Sequence, residues 1–343
     1  MSLIPVTVLT GFLGSGKTTL LNHLLAQPGM ADTAVLINEF GEIGLDHLLV
    51  RTLAEDVVLL QSGCLCCTVR GDLVEGMRDL FIKRVRGEIP EFNRVVIETT
   101  GLADPAPIIH TLMTDPLISG RYKLDGIVST IDAVNGAATL DRQPEAVKQA
   151  AVADRLILTK ADIADPTKVE VLRERLRRLN PAAPIIVAAM GRVTPADVLD
   201  AGLFSGESKT PDVARWLNEE AYRAHQEAAG GHHHHHDPNR HDAHIQAFVF
   251  TATEPVSWPA LAFALELMIS SKGENLLRIK GIVNARESAE PLAIHGVQHV
   301  FHPPAPLPGW PDDDHRTRIV FITRDITRQA VEELLNGVLA LDT

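Results

Sequence analysis

Gly11-Phe12-Leu13-Gly14-Ser15-Gly16-Lys17-Thr18-Thr19 is the stretch whose reading decides the fold. Its spacing is G-x-x-x-x-G-K-T, in which glycines let the backbone curl until several N–H groups point inward at a phosphate. Residues 4–10 before it are mostly β-branched and apolar, as a buried parallel strand is. Residues 20–26 after it place Leu20, Leu21, Leu24 and Leu25 on one face, which predicts a helix. The N-terminus of that helix adds positive potential at the loop. An ordinary Gly-rich turn would explain the glycines but not the full spacing, both flanks and the Gly-Lys-Thr-Thr ending together. In this setting Lys17 reaches the β- and γ-phosphates of a nucleotide and the Thr18 hydroxyl ligates Mg²⁺. Gly11, Gly14, Ser15, Gly16 and Thr19 complete the nucleotide-binding loop.

Strand-like and helix-like runs alternate outward from this loop. Strands are predicted at residues 33–38, 57–61, 94–99, 126–132, 155–159 and 184–188, and helices at 72–86 and 166–179. That order implies an α/β fold with a mostly parallel sheet covered by helices on both faces. Ligands in such folds gather at the carboxyl ends of the strands, and the motifs considered below each fall just after a strand. The alternation stops near residue 205. Residues 206–244 read as a polar linker, with a short helical stretch at 214–226 and a run of five histidines, His232, His233, His234, His235 and His236. An expression tag would normally sit at a terminus, whereas this tract is internal; it reads as an auxiliary, weak metal-binding segment. Residues 245–343 form a second unit. Strands are predicted at 245–251, 277–284, 291–295, 297–302 and 318–323, and helices at 258–270 and 327–339, a smaller α+β domain.

Composition narrows the function classes. The 343 residues carry a net charge of −12, which argues against nucleic-acid or anionic-membrane binding, and aromatics are only 4%, too few for a base-stacking surface. No apolar run is long enough to span a bilayer, and the N-terminus opens straight into a strand, so a cytoplasmic location is expected. The three cysteines all lie within four residues, which is no disulfide framework but a thiol cluster in a reducing compartment.

Two further segments complete a nucleotide site. Residues 94–101, Arg-Val-Val-Ile-Glu-Thr-Thr-Gly, are an apolar strand ending in Glu98 with Gly101 three residues on. The acid is expected near Mg²⁺, and the Gly101 N–H is placed to sense a γ-phosphate. Thr159-Lys160-Ala161-Asp162 follows another strand. Guanine-specific sites carry N-K-x-D there: the Asp accepts from guanine N1 and N2 while the Lys stem covers the base. Adenine offers no such donor pair, so Lys160 and Asp162 favour GTP. Thr159 stands where that motif has Asn.

Ser62-Gly63-Cys64-Leu65-Cys66-Cys67 follows the predicted strand at 57–61. Thiolates are soft ligands that favour Zn²⁺ or Cu(I), and three of them fill three of four tetrahedral positions. Adjacent side chains on a strand point apart, so Cys66 and Cys67 converge on one ion only if the loop turns, which Gly63 permits. Inert buried cysteines and a redox disulfide are the alternatives. Residues 38–46, Asn-Glu-Phe-Gly-Glu-Ile-Gly-Leu-Asp, occupy the place of a first switch region. Glu39 there could serve Mg²⁺, an activated water or the thiol-bound metal; an acidic surface loop is the plainer reading.

Taken together, residues 11–19, 38–46, 63–67, 98–105 (E-T-T-G-L-A-D-P) and 159–162 resemble the CobW-type GTPases, relatives of the nickel-enzyme maturation GTPases. Arg278-Ile279-Lys280-Gly281 and Gln298-His299-Val300-Phe301 are similar to that family's second domain, and a His-rich tract before it is a family habit. The resemblance implies a phosphate-loop GTPase with slow intrinsic turnover, using Mg²⁺ with GTP, whose cargo is Zn²⁺ or Co²⁺. It implies cargo binding at Cys64, Cys66 and Cys67 and transfer to a client metalloprotein. Lys17, Glu98, Gly101 and Glu39 are then the catalytic group. Some relatives serve cobalt and cobalamin metabolism or nitrile hydratase maturation instead. A metal buffer with incidental hydrolysis and a small-molecule kinase are the rivals from other classes. A homo-oligomer is compatible with all of them.

Overall fold

The computed structural model describes residues 3–37, 58–61, 69–199 and 244–341. Chain contacts divide it into two compact units, one of residues 1–174 and 184–205, the other of residues 175–183 and 206–343.

The first unit is a seven-stranded sheet in the order β3-β2-β4-β1-β5-β6-β7, with every pairing parallel. The strands are β1 (Ile4–Gly11), β2 (Thr33–Ile37), β3 (Val58–Gln61), β4 (Arg94–Glu98), β5 (Tyr122–Asp132), β6 (Arg155–Thr159) and β7 (Ile185–Ala188). β1 lies at the centre, so the phosphate loop leaves the middle of the carboxyl edge. The helix after it, α1 (Lys17–Leu25), packs Leu20, Leu21 and Leu24 onto Leu9, Val35, Val96 and Val128 of the sheet. The leucine stripe in the sequence is this contact.

Several boundaries differ from the sequence expectation. α1 begins at Lys17 rather than Leu20, because apolar periodicity does not register a polar first turn whose N–H groups serve a ligand. β5 begins at Tyr122 rather than residue 126, and includes Asp125, which is buried and accepts from the Thr7 hydroxyl at 3.1 Å. An acid inside a central strand hides that strand from a search for apolar runs. Helices at Ala106–Thr114, Pro116–Ser119, Gly136–Arg142 and Pro144–Val152 were not read from periodicity. Most carry a proline in the first turn, where the missing N–H costs nothing and the fixed φ favours helix entry.

The second unit is an antiparallel sheet, order β11-β10-β9-β13-β8 with β12 paired to β10. Its strands are β8 (Ile245–Ala252), β9 (Leu276–Val283), β10 (Leu292–Val297), β11 (Val300–Phe301), β12 (Ala305–Pro306) and β13 (Thr317–Arg324). One face packs Phe248, Ile279, Ile319 and Phe321 against Leu261 and Leu265 of helix Trp258–Lys272 and Leu335 of helix Arg328–Ala340. Strand alternation puts Arg278 and Lys280 on the face opposite Ile279. The sequence placed a break at Gly296. The chain instead runs straight through Gly296 and turns at Gln298, whose φ is 52°.

Candidate nucleotide site

The nucleotide residues predicted at or after the ends of β1, β4 and β6 lie at or just beyond the carboxyl ends of their strands, and most of them line a cavity of about 690 Å³; Gly11, Ser15 and Asp162 are not in its lining. Gly16, Lys17, Thr18 and Thr19 line one side, Glu98 and Gly101 another, with Lys160 at the rim. The loop is shaped by glycines that tolerate no side chain. Gly11 has φ 139°, and a Cβ there would meet Thr130 Oγ1 at 2.2 Å; Gly16 has φ 91°. The Ser15 and Thr130 hydroxyls are 2.6 Å apart, tying the loop to β5. The Lys17 ammonium donates to the carbonyls of Gly11 at 2.8 Å and Phe12 at 3.3 Å. It is therefore held inside the curl, where phosphate oxygens compete for it.

The Thr18 hydroxyl donates to Glu98 Oε1 at 2.8 Å, and Glu98 is buried. Two hard oxygen donors meet at the mouth of the phosphate cavity, a donor set that fits Mg²⁺. Gly101 is pressed against the phosphate loop: a Cβ on it would lie 2.5 Å from Leu13 N. The turn is gripped from behind by helix Pro144–Val152. Gln149 Nε2 donates to the carbonyls of Gly101 at 3.2 Å and Ala103 at 2.9 Å, and Lys148 Nζ to Asp104 Oδ2 at 3.0 Å. Gly101 is thus preset beside the loop.

The T-K-A-D segment is bonded to the same loop. The Thr159 hydroxyl donates to Ser15 O at 2.6 Å, with Ile131 O a second acceptor within reach at 3.1 Å. Lys160, with φ 57°, donates to Gly14 O at 2.7 Å and to Asp132 Oδ2 at 2.8 Å. Asp132 also accepts from the N–H groups of Val134 and Asn135 and from the Asn135 amide. Burial pushes the Asp132 carboxyl upward, but the bonds from Lys160, Asn135 and Val134 outweigh it and hold the group below its ordinary range. Asp162 stands exposed in the turn that follows. Glu39, Cys64, Cys66, Cys67 and His232 to His236 lie outside the described residues.

Three contributors went unread in the sequence. Thr130 and Asp132 close β5, and the rule that ligands collect at strand carboxyl ends was enough to find them. Gln149 sits on an unread helix and had no signal. The turn after β7, with Met190 at φ 55° and Gly191 at φ 74°, rests on α1: a Cβ on Gly191 would lie 3.2 Å from Thr19 O.

A phosphate loop leaving the central strand of a parallel sheet, locked to a T-K-A-D turn two strands away, defines a phosphate-loop nucleotide-binding protein. Residues 5–187 match the CobW/HypB/UreG nucleotide-binding domain, and residues 245–339 the cobalamin synthesis protein cobW C-terminal domain. The chain belongs to the CobW/HypB/UreG family. It is 32% identical over 338 residues to the zinc chaperone YjiA of Escherichia coli, across 98% of this chain and 99% of that protein. It is 30% identical over 368 residues to the zinc chaperone CobW of Pseudomonas aeruginosa, across 98% and 92%. Among solved structures it is similar to the zinc-bound YjiA GTPase from E. coli, with TM-score 0.73 and 28% identity over 98% of this chain and 99% of that one.

Proposed function

We propose that this protein is a GTPase that couples nucleotide state to zinc delivery. The observation that carries the reading is a register. Ile37, the last residue of β2, pairs with Gln61 of β3 on one side and Glu98 of β4 on the other. The ends of β2 and β3 therefore lie side by side, and β2 also neighbours the strand that ends in the acid bonded to Thr18. In the sequence, Glu39 comes after β2, and Cys64, Cys66 and Cys67 come after β3. The residues we assign as nucleotide sensor and metal ligands thus follow, in the sequence, two adjacent strand ends.

In this reading the loop N–H groups and Lys17 hold the phosphates, and Asp162 selects guanine while the Lys160 stem covers the base. Thr18 and Glu98 would hold Mg²⁺, which when bound neutralises charge developing on the phosphates. Gly101, fixed by Gln149, offers its N–H to the γ-phosphate. The three thiols take zinc as cargo and pass it to a client metalloprotein in the cytoplasm, with the His tract as a weak reservoir. The names of the two zinc chaperones and the zinc-bound relative support zinc over cobalt.

Two variants test the assignment. Asp162→Asn should weaken GTP binding and relax discrimination against other purine nucleotides. Replacing Cys64, Cys66 and Cys67 by Ser should abolish tight zinc binding and leave GTP binding largely intact, because a hydroxyl is a far poorer zinc ligand than thiolate. Unchanged zinc affinity in the triple variant would remove the thiols from the site. Unchanged GTP selectivity in Asp162→Asn would remove the guanine assignment.

A further inference from the structure

Lys160 occupies an unusual place. It lines the phosphate cavity, and it also lines a second cavity of about 300 Å³, which shares Leu13 and Gly14 with the first and is bounded by Asp132 and Asn135. A long, flexible cation between two hollows has two directions in which to lie. A lysine stem contributes to base recognition only if its course is fixed, and ordering such a side chain costs entropy. Something must fix the ammonium in one place so that the stem keeps one course.

The contacts of Asp132 meet that need. Asp132 ends β5 in register with Thr159, and the Ala133 N–H donates to Thr159 O at 2.9 Å. The carboxylate is therefore one residue away from Lys160 across the sheet edge. Both of its oxygens are engaged. Oδ1 accepts from Val134 N at 2.7 Å and Asn135 N at 3.1 Å; Oδ2 accepts from Asn135 Nδ2 at 3.2 Å and Lys160 Nζ at 2.8 Å. The backbone of residues 134–135 thus fixes the carboxylate, and the carboxylate fixes the lysine. The Asp132 side chain is 11% exposed and that of Lys160 37%. The anchor is shielded, while the lysine keeps a free flank for a ligand. The second ammonium bond, to Gly14 O at 2.7 Å, lays the stem across the loop.

We propose that Asp132 is a positioning residue for guanine recognition: its carboxylate clamps the Lys160 ammonium against the phosphate loop, so that the lysine stem forms a fixed wall of the base pocket. The inference rests on the guanine reading of Lys160 and Asp162. It adds a residue that lies outside the T-K-A-D segment and on a different strand. Asp132 does not line the phosphate cavity; it acts through Lys160. A purely structural ion pair would stabilise the fold and leave base selection alone, since partly exposed pairs contribute little on their own.

The test is a double-mutant cycle on GDP affinity in the full chain. Asp132→Asn keeps an oxygen for the Val134 and Asn135 N–H groups but loses the charge that holds Lys160. GDP affinity should fall about tenfold, ~1.4 kcal/mol, with preference for GDP over ADP reduced and kcat/KM for GTP falling more than kcat. In a Lys160→Met background, Asp132→Asn should cost less than about twofold further, because neighbours acting as a unit are non-additive. Asp132→Glu, which restores the charge, should recover part of the loss. If Asp132→Asn lowers GDP affinity equally with and without Lys160, Asp132 acts on the fold and the proposal is overturned. If Asp132→Asn matches the parent in a protein that prefers GDP, the proposal alone fails. A parent that binds ADP as tightly as GDP would overturn the guanine reading and the proposal with it.

Discussion

The hydroxyl of Thr159 donates to the carbonyl of Ser15 across 2.6 Å, from the end of β6 to the phosphate loop. In the sequence, threonine at this place looked like a departure from the guanine motif. In the fold its short side chain reaches the loop, with Ile131 O as an alternative acceptor at 3.1 Å. It sits directly against Gly16, where a Cβ would lie 3.6 Å from the Thr159 side chain. The polar support that Asn would give is supplied by a hydroxyl.

Thr159→Val keeps the volume and removes that hydroxyl. Thr159 is 3% exposed, so the Ser15 carbonyl would lose this donor in a buried place. An orphaned buried group costs about 1–3 kcal/mol. Isothermal titration should show GTP and GDP affinity both reduced about tenfold, with little change in their ratio. A variant that binds both as the parent does would make the bond incidental.

Gln149 governs a different quantity. Its two donated bonds fix the carbonyls of Gly101 and Ala103, and its side chain is fully buried. Gln149→Leu is close in volume but gives neither bond. The Gly101 turn should then lose its preset position beside Leu13. The expected result is a lower melting temperature, from about 2 kcal/mol of lost stability, and a several-fold drop in the ratio of GTP to GDP affinity. An unchanged ratio would show that Gly101 does not read the γ-phosphate.

Intrinsic GTP turnover should be slow. The residue after Gly101 is Leu102, 48% exposed, and an aliphatic side chain cannot orient a water for attack. Without a positioned nucleophile much of the proximity advantage is lost. Steady-state phosphate release from the isolated protein should run well below the roughly 10 s⁻¹ median of enzymes. A rate near that median without metal or client would show that another group positions the water.

The phosphate loop, its flanks and the order of the parallel strands were legible because each follows from local chemistry: glycine geometry, apolar strands, a leucine stripe. Lys160 was found by motif, but its anchor Asp132 was not, because the partnership spans 28 positions and exists only through the β5–β6 register. Gln149 was hidden for a similar reason. It reaches 48 positions back to Gly101 from helix Pro144–Val152, a partnership that only the fold creates. Asp125 misled the reading of β5 because its burial depends on a neighbour in β1. At Gln298 a non-glycine residue takes the left-handed turn, so the glycine two positions earlier drew the boundary instead.

The central claim is that nucleotide state and zinc affinity are coupled through adjacent strand ends, Ile37 beside both Gln61 and Glu98. Linkage requires that if GTP tightens zinc binding, zinc tightens GTP binding by the same factor. Typical coupling is about 1–3 kcal/mol, or roughly 5–150-fold. The direct measurement is a zinc titration of protein lacking residues 232–236, in a competing chelator, with no nucleotide, with GDP, and with Mg²⁺ and a non-hydrolysable GTP analogue. The account predicts tighter zinc binding in the analogue state than with GDP, within that range, and loss of the difference when Cys64, Cys66 and Cys67 are replaced by Ser. Equal zinc affinities in the analogue and GDP states would contradict it, and the thiols would then be a passive carrier whose release owes nothing to GTP.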